Sequence, residues 1–169
     1  MSLKLMTPIN EKLSEAVLFL LKNTTSPNMG LKKLAKLLYF ADFNHYKKTY
    51  ESITSENYCR WEHGPFPKSL YVVMEDLEAK GLVTIEEVKY SDKIIGNKIK
   101  GIEKFKPKYL SDDEQNEILN VIKKMGTLSG KQLEDLSHED TPWQVTDEDG
   151  FINYDLVFYR DEELVKQVE

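Results

Sequence analysis

Sixteen consecutive residues, LKKLAKLLYFADFNHY at 31–46, do most to limit what this chain can fold into. Leu31, Leu34, Ala35, Leu38, Ala41 and His45 recur at helical spacing, so the segment is a helix whose apolar stripe must be covered by other elements. A first helix stands upstream of it. In TPINEKLSEAVLFLLKN, Thr7 is placed to cap and Pro8 to take the first helical position, while Leu13, Ala16, Val17, Leu20 and Leu21 share one face. That helix is expected to end near Asn23, where TTSPNMG breaks the chain. Two helices therefore pack early.

The rest of the chain supplies the cover. Leu70, Val73, Met74 and Leu77 form a third stripe that starts after Pro67 and stops at Gly81. LVTIEEV and KIKGIEKFK are expected as two strands around an SDKIIGN turn, with inward positions at Val83, Ile85, Ile99 and Phe105. Ser111 with Glu114, and Ser129 with Gln132, fit capping boxes. They precede helices carrying Ile118, Ile122 and Met125 in one case, Leu133 and Leu136 in the other. Thr141 and Pro142 start a short helix around Trp143, and the acidic, aromatic tail from Asn153 to Val168 is expected to be helical. With 169 residues and no repeat or linker, the chain is expected to form one domain, 1–169. The fold class expected is α+β: mostly helical, with about six to seven helices and a small antiparallel β-hairpin or three-stranded sheet.

Charge divides along the chain. Residues 1–110 carry 18 Lys and Arg against 13 Asp and Glu, or +5, whereas residues 111–169 carry 5 against 16, or −11, which together make the net −6. The acidic third attracts basic partners or simply keeps the protein in solution. Residues 89–108 hold seven lysines against Asp92 and Glu103. No apolar run nears the roughly 18 residues that span a bilayer, and the charged N-terminal stretch is no secretory signal, so a cytoplasmic location is expected. Cys59 is the single cysteine, which excludes an intrachain disulfide and a multi-cysteine zinc site.

Candidate chemistry is sparse. His45, His63, His138, Cys59, Asp42 and Glu62 are all zinc-ligand types, but no C-x-x-C or H-x-x-x-H spacing links them, and no metal or other cofactor is expected. Cys59 has no base within view to activate it and reads as a small buried hydrophobe in a strand. Asp42 and His45 share a helix face and could form an acid–base couple. The reading preferred here is a buried carboxylate that accepts backbone N–H groups and locks a loop, for which HGPFP, with Gly64, Pro65 and Pro67, is the nearest candidate. His45 and Trp61 would assist in anchoring that rigid corner. Neither a phosphate-binding glycine loop, nor G-x-S-x-G, nor H-E-x-x-H occurs, so no enzymatic activity is expected.

The element order also fits a winged helix, with residues 67–80 as recognition helix and 83–106 as wing. Glu75, Asp76 and Glu78 against Lys68 and Lys80 would bring negative charge into the groove, which leaves weak, salt-sensitive binding through the wing lysines.

Three stretches together resemble a known family. LKKLAKLLYFADFNHYKKTYESIT, YCRWEHGPFPKSLYVVMEDLEAKGLV and LSDDEQNEILNVIKKMGTLSGKQLEDLSHEDTPW are similar to the phage-associated SocA-like antitoxins, the Panacea domain, over about residues 10–150, leaving an acidic tail at 151–169. Leu37, Tyr39, Asp42 and His45 match a first motif; Gly64, Pro65 and Pro67 a second; Ser137, His138, Pro142 and Trp143 a third. The resemblance implies a bacterial or prophage antitoxin that neutralises a cognate toxin by direct contact, with delivery of the toxin to a protease in some members, and no enzyme activity. The motif residues, with Trp61, are then structural or partner-binding. Lys93, Lys98, Lys100 and Lys104 of the lysine-rich hairpin, which fits no family pattern, would face the partner. A DNA-binding regulator of winged-helix type is the alternative, and a metal-dependent enzyme the third reading.

Overall fold

A computed structural model describes residues 8–26 and 28–169. In chain order it contains α1 (Glu11–Asn23), α2 (Leu31–Thr49), β1 (Tyr58–Trp61), β2 (Gly64–Pro67), α3 (Leu70–Ala79), β3 (Val83–Lys89) and β4 (Ile95–Gly101). There follow α4 (Asp112–Met125), α5 (Gly130–Glu139), α6 (Thr141–Val145), a 3-10 helix (Tyr154–Tyr159) and α7 (Glu162–Val168).

Helix α2 is the axis of the structure. Every residue from Lys33 to His45 is buried, and the helix touches α1, α4, α5, β2, β4 and the 3-10 helix. A helix covered on all sides must place its polar side chains against partners inside the protein. Lys33 does so by sending its Nζ to Ser26 Oγ at 2.8 Å and the Gly126 carbonyl at 2.6 Å. Leu13, Val17 and Leu20 of α1, Ile118 and Val121 of α4, and Leu133 of α5 join the aromatic run Tyr39, Phe40 and Phe43 in one core.

The start of α1 differs from expectation. Thr7 lies outside the described residues, and the cap is Asn10, whose Oδ1 accepts the Leu13 N–H at 3.0 Å. The Asn10 amide also donates to the Thr54 carbonyl and to Glu56, so a tertiary contact selects the start of this helix. Both capping boxes, Ser111 with Glu114 and Ser129 with Gln132, form as expected.

The β structure requires a correction. In place of one hairpin or three-stranded sheet there are two separate two-stranded antiparallel sheets, β1–β2 and β3–β4. Eight helical segments, six of them seven residues or longer, stand among the described residues against the expected six to seven. HGPFP, expected as a rigid corner because Pro65 and Pro67 fix φ, contains a strand instead: Gly64–Pro67 is β2. The register explains the tolerance: Tyr58 pairs with Pro67 and Arg60 with Pro65, while the backbones of Tyr58 and Arg60 bond instead to Ile152, Gly150 and Asp149 on the other side of β1. A proline opposite such a residue has no ladder bond to donate. Strand β4 begins at Ile95, three residues before the expected segment, and Phe105 lies beyond its end.

The acidic third has a use that neither partner attraction nor solubility describes. Glu114, Glu117, Glu134 and Glu169 pair with Lys12, Lys48, Lys32 and Lys47 at 2.5, 2.6, 2.9 and 2.8 Å, joining the C-terminal elements to α1 and α2. Deeper in, Arg160 donates twice to Asp140, at 2.9 Å each, and once to Asn44 Oδ1 at 2.6 Å. Tyr39 donates its hydroxyl to Asp140 at 2.8 Å, and Asn44 donates to the Val168 carbonyl at 2.5 Å. The Arg160 and Asp140 side chains are wholly buried. Removing one member of a buried ion pair strands the other, so Arg160→Met is expected to lower the unfolding free energy by about 3–5 kcal/mol. Urea denaturation followed by circular dichroism measures this; a loss below about 1 kcal/mol would mean that Asp140 is satisfied without Arg160.

Candidate functional site

Four side chains of α2, three residues apart, define one side of the site: Lys36, Tyr39, Asp42 and His45, all buried. Tyr39 reaches Asp140, as above. Asp42 accepts the N–H groups of Ile53 at 2.7 Å and Thr54 at 2.9 Å, and the hydroxyls of Thr54 and Tyr58 at 2.6 Å each. Burial pushes its carboxyl above the ordinary range, and these donors oppose the shift. His45 Nδ1 lies 2.7 Å from the Glu51 carbonyl. The expectation that Asp42 locks a loop holds, but the loop is 51–58, not HGPFP. The reason is geometric: Asp42 stands about one and two-thirds turns beyond Lys36, and Lys36 is the residue that meets HGPFP, with its Nζ 3.0 Å from the Pro65 carbonyl.

Gly64 sits where these elements press together. Its φ is +102°, and a Cβ there would stand 2.5 Å from Lys36 Cε and 2.6 Å from Ser137 Oγ. Both the backbone conformation and the close approach require glycine.

The third motif closes over the same hairpin. His138 Nε2 is 2.9 Å from the Glu62 carbonyl, and Trp143 Nε1 donates to the Trp61 carbonyl at 3.0 Å. The Trp143 ring lies between the His138 imidazole, 4.3 Å away, and the Arg60 guanidinium, 4.1 Å away. Pro142, buried at the start of α6, sets the turn that brings Trp143 back. Half-buried against the core, Trp143 plugs the hairpin's rear. The three motif segments thus meet on β1–β2, from beneath through Lys36 and from behind through His138 and Trp143.

On its outer face the hairpin carries a ladder of rings. Trp61 stacks on Phe66 at 4.8 Å and Phe66 on Tyr71 of α3 at 5.0 Å, with Trp61 36% and Tyr71 57% exposed. Beside them lies a cavity of about 300 Å³ bordered by Leu31, Lys32, Lys36 and His63. Glu134 holds Lys32 and His63 at 2.9 and 2.8 Å. Burial alone would raise the Glu134 carboxyl, but the hydrogen bonds from Lys32 and His63 keep it down at about 2. Burial brings the Lys36 ammonium down to about 7, with Glu134 pulling it up and Lys32 pushing it further down.

The other residues singled out in the sequence lie elsewhere. Cys59 is buried in β1, and burial raises its thiol above the ordinary value, away from thiolate chemistry. His45, His63 and His138 have separate partners, and among the described residues no three His, Cys, Asp or Glu side chains gather as a metal site would require. Lys98 and Lys100 stand opposite Glu86 and Thr84 on β3–β4 and Lys93 lies in its turn, so three sit on the second hairpin, while Lys104 follows its end. Lys36, Glu134, Asn44 and Arg160 were not anticipated. Lys36 was detectable from its spacing, three before Tyr39; Arg160 carried no local signal.

Two outcomes test this arrangement. Asp42→Asn, which leaves one acceptor oxygen for four donors, is expected to cost about 2–4 kcal/mol in urea denaturation; unchanged stability would show that loop 51–58 holds itself. Lys36 titrates near 7 when folded and near 10.5 when unfolded, so between those values the unfolded chain binds a proton that the folded one lacks. Stability must then rise with pH in that window, while the burial penalty is fully present below it. Relative to Lys36→Met, the wild type is expected to gain about 2 kcal/mol from pH 7 to pH 9, and a constant difference would contradict the shift.

Among protein-family models, that of the family described as Antitoxin SocA-like, Panacea domain, matches residues 34–144. No curated protein and no solved structure matches the chain. No helix among the described residues is long and apolar enough to cross a membrane. The match begins in α2 and ends just after Trp143, so it takes in Lys36, the whole β1–β2 hairpin and the His138–Trp143 clamp. It leaves α1, the 3-10 helix and α7 outside. With more than half of its length under that match, and with the three motif segments assembled around one hairpin, the chain belongs to the SocA-like antitoxin family of the Panacea domain.

Proposed function

We propose that this protein neutralises a cognate toxin, in a bacterial or prophage toxin–antitoxin pair, by direct contact through the outer face of β1–β2 and the start of α3. The observation that carries the reading is the convergence of the family's motif segments on a hairpin that, with the start of α3, presents Trp61 and Tyr71 to solvent. Aromatic side chains held in place before binding contribute apolar area at little entropic cost, which is the character of interface hot spots. Here the rigidity comes from Pro65 and Pro67, from the ring ladder and from the clamp behind it. The motif residues behind the exposed rings, among them the buried Tyr39, Asp42 and Gly64 and the half-buried His138, act by shaping that hairpin and its approaches. No step of bond making or breaking is assigned to them. Lys93 and Lys100, exposed on the β3–β4 hairpin, with the half-buried Lys98, form a second contact area for the toxin.

The test is growth rescue. The toxin is first identified by capture on the tagged full-length protein after nuclease treatment, and is then expressed alone or with the antitoxin. Co-expression is expected to relieve growth arrest through a stoichiometric complex visible by size exclusion with light scattering. Trp61→Ala and Tyr71→Ala are each expected to weaken the complex roughly thirtyfold, the effect of a loss of about 2 kcal/mol, without changing the melting temperature. Arrest that persists with the wild-type chain in excess would reject the antitoxin reading, and full affinity in both variants would move the contact elsewhere.

A further inference from the structure

Among the buried cations of the described residues, Lys36 has the fewest partners. Asp42 has four donors, Glu15 has the N–H groups of Lys108, Tyr109 and Leu110, Arg160 has Asp140 and Asn44, and Lys33 has two oxygen acceptors. Lys36, only 1% exposed, makes one hydrogen bond among the described residues, to the Pro65 carbonyl. An ammonium has three protons to donate, and a buried cation without a counter-ion is costly. The same side chain borders the 300 Å³ cavity, whose walls combine the apolar Leu31, Trp61, Phe66 and Tyr71 with the charged Lys32 and Glu62. A site of that kind, with apolar rings on one side and, on the other, a buried cation with one neutral acceptor, fits a ligand that carries a carboxylate next to an apolar group.

We infer that the cavity is a docking site for the C-terminal residue of a partner polypeptide, its carboxylate on Lys36 Nζ and its aromatic or branched side chain against Trp61, Phe66 and Tyr71. A terminal residue brings both groups on one Cα, and the volume suits a single residue of that size. The neighbouring surface favours a chain over a free small molecule: a second cavity, of about 250 Å³, shares Leu31 and Tyr71 with the first and continues along Met74, Ile85 and Ile99. The residues that precede the terminus have somewhere to lie. The proton affinity of Lys36, lowered chiefly by burial and only partly restored by Glu134, which Lys32 and His63 already engage, agrees with this geometry. Only the choice of a toxin as that polypeptide rests on the antitoxin reading; the carboxylate site does not.

The test is a heteronuclear NMR titration of the full-length protein at pH 6.5 with N-acetyl-phenylalanine, its carboxamide, and the peptide acetyl-Gly-Ser-Gly-Ser-Gly-Phe ending in a free carboxylate. The free acid is expected to shift the Trp61 indole, His63 and Gly64 resonances and to bind about tenfold more tightly than the carboxamide, the usual discrimination from one charge-assisted bond. The peptide is expected to bind several-fold more tightly still. In Lys36→Met the preference for acid over amide disappears, while Tyr71→Ala, a surface change that keeps the cation, weakens acid and amide alike. Equal binding of acid and amide by the wild type, or a preference that survives Lys36→Met, overturns the site. Equal binding of peptide and N-acetyl-phenylalanine overturns the polypeptide assignment. No toxin enters the measurement, so a failure here leaves the antitoxin reading standing, and a failed growth rescue leaves the site standing.

Discussion

Burial of α2 on all sides is the constraint from which the rest follows. An element exposed on one face can leave its polar groups in water, but Lys33, Lys36, Tyr39, Asp42, Asn44 and His45 have no such outlet. Each must be met by another segment, and the partners found are loops and strand backbones more than other helices. Asp42 gathers residues 53–58, Lys36 holds Pro65, Lys33 holds Gly126, and Asn44 holds the end of α7. One central helix thereby decides the course of most of the connections around it. Glu15 of α1 works in the same way on residues 108–110.

The consequence for function is a hairpin fixed from three directions. Lys36 and Gly64 set its distance from α2, the prolines remove its freedom, and His138 and Trp143 grip its turn and first strand from behind. Such a hairpin can expose large aromatic groups without collapsing onto the core. The electrostatics follow the same plan: Lys12, Lys32, Lys47 and Lys48 are matched by glutamates on α4, α5 and the C-terminus, whereas Lys36, at the margin of a cavity, has among the described residues only the Pro65 carbonyl.

Much of the architecture was legible locally. The capping boxes before α4 and α5, the proline-started α6 and the extent of α2 and α3 depend on contacts within a few residues, and they appear where the pattern put them. The family likeness also pointed to the right segments. What failed was anything whose meaning lies across the chain. Gly64–Pro67 forms a strand because β1 turns its other bonds toward residues 149–152, almost ninety positions away, and no local rule reveals that. Asp42 was rightly expected to hold a loop, but helix geometry aimed it at a different one.

The sequence by itself determined most of the helical segments, the capping boxes before α4 and α5, an apolar stripe on α2, and membership in a family of antitoxins, because each of these rests on short-range periodicity or on an ordered set of residues. Tertiary structure decided which polar groups meet, since hydrogen bonds and ion pairs depend on positions in space that loops many residues long bring about. Arg160 shows the difference most plainly: in the sequence it is one basic residue in an acidic tail, and in the fold it is the wholly buried partner of Asp140 that ties that tail to α2.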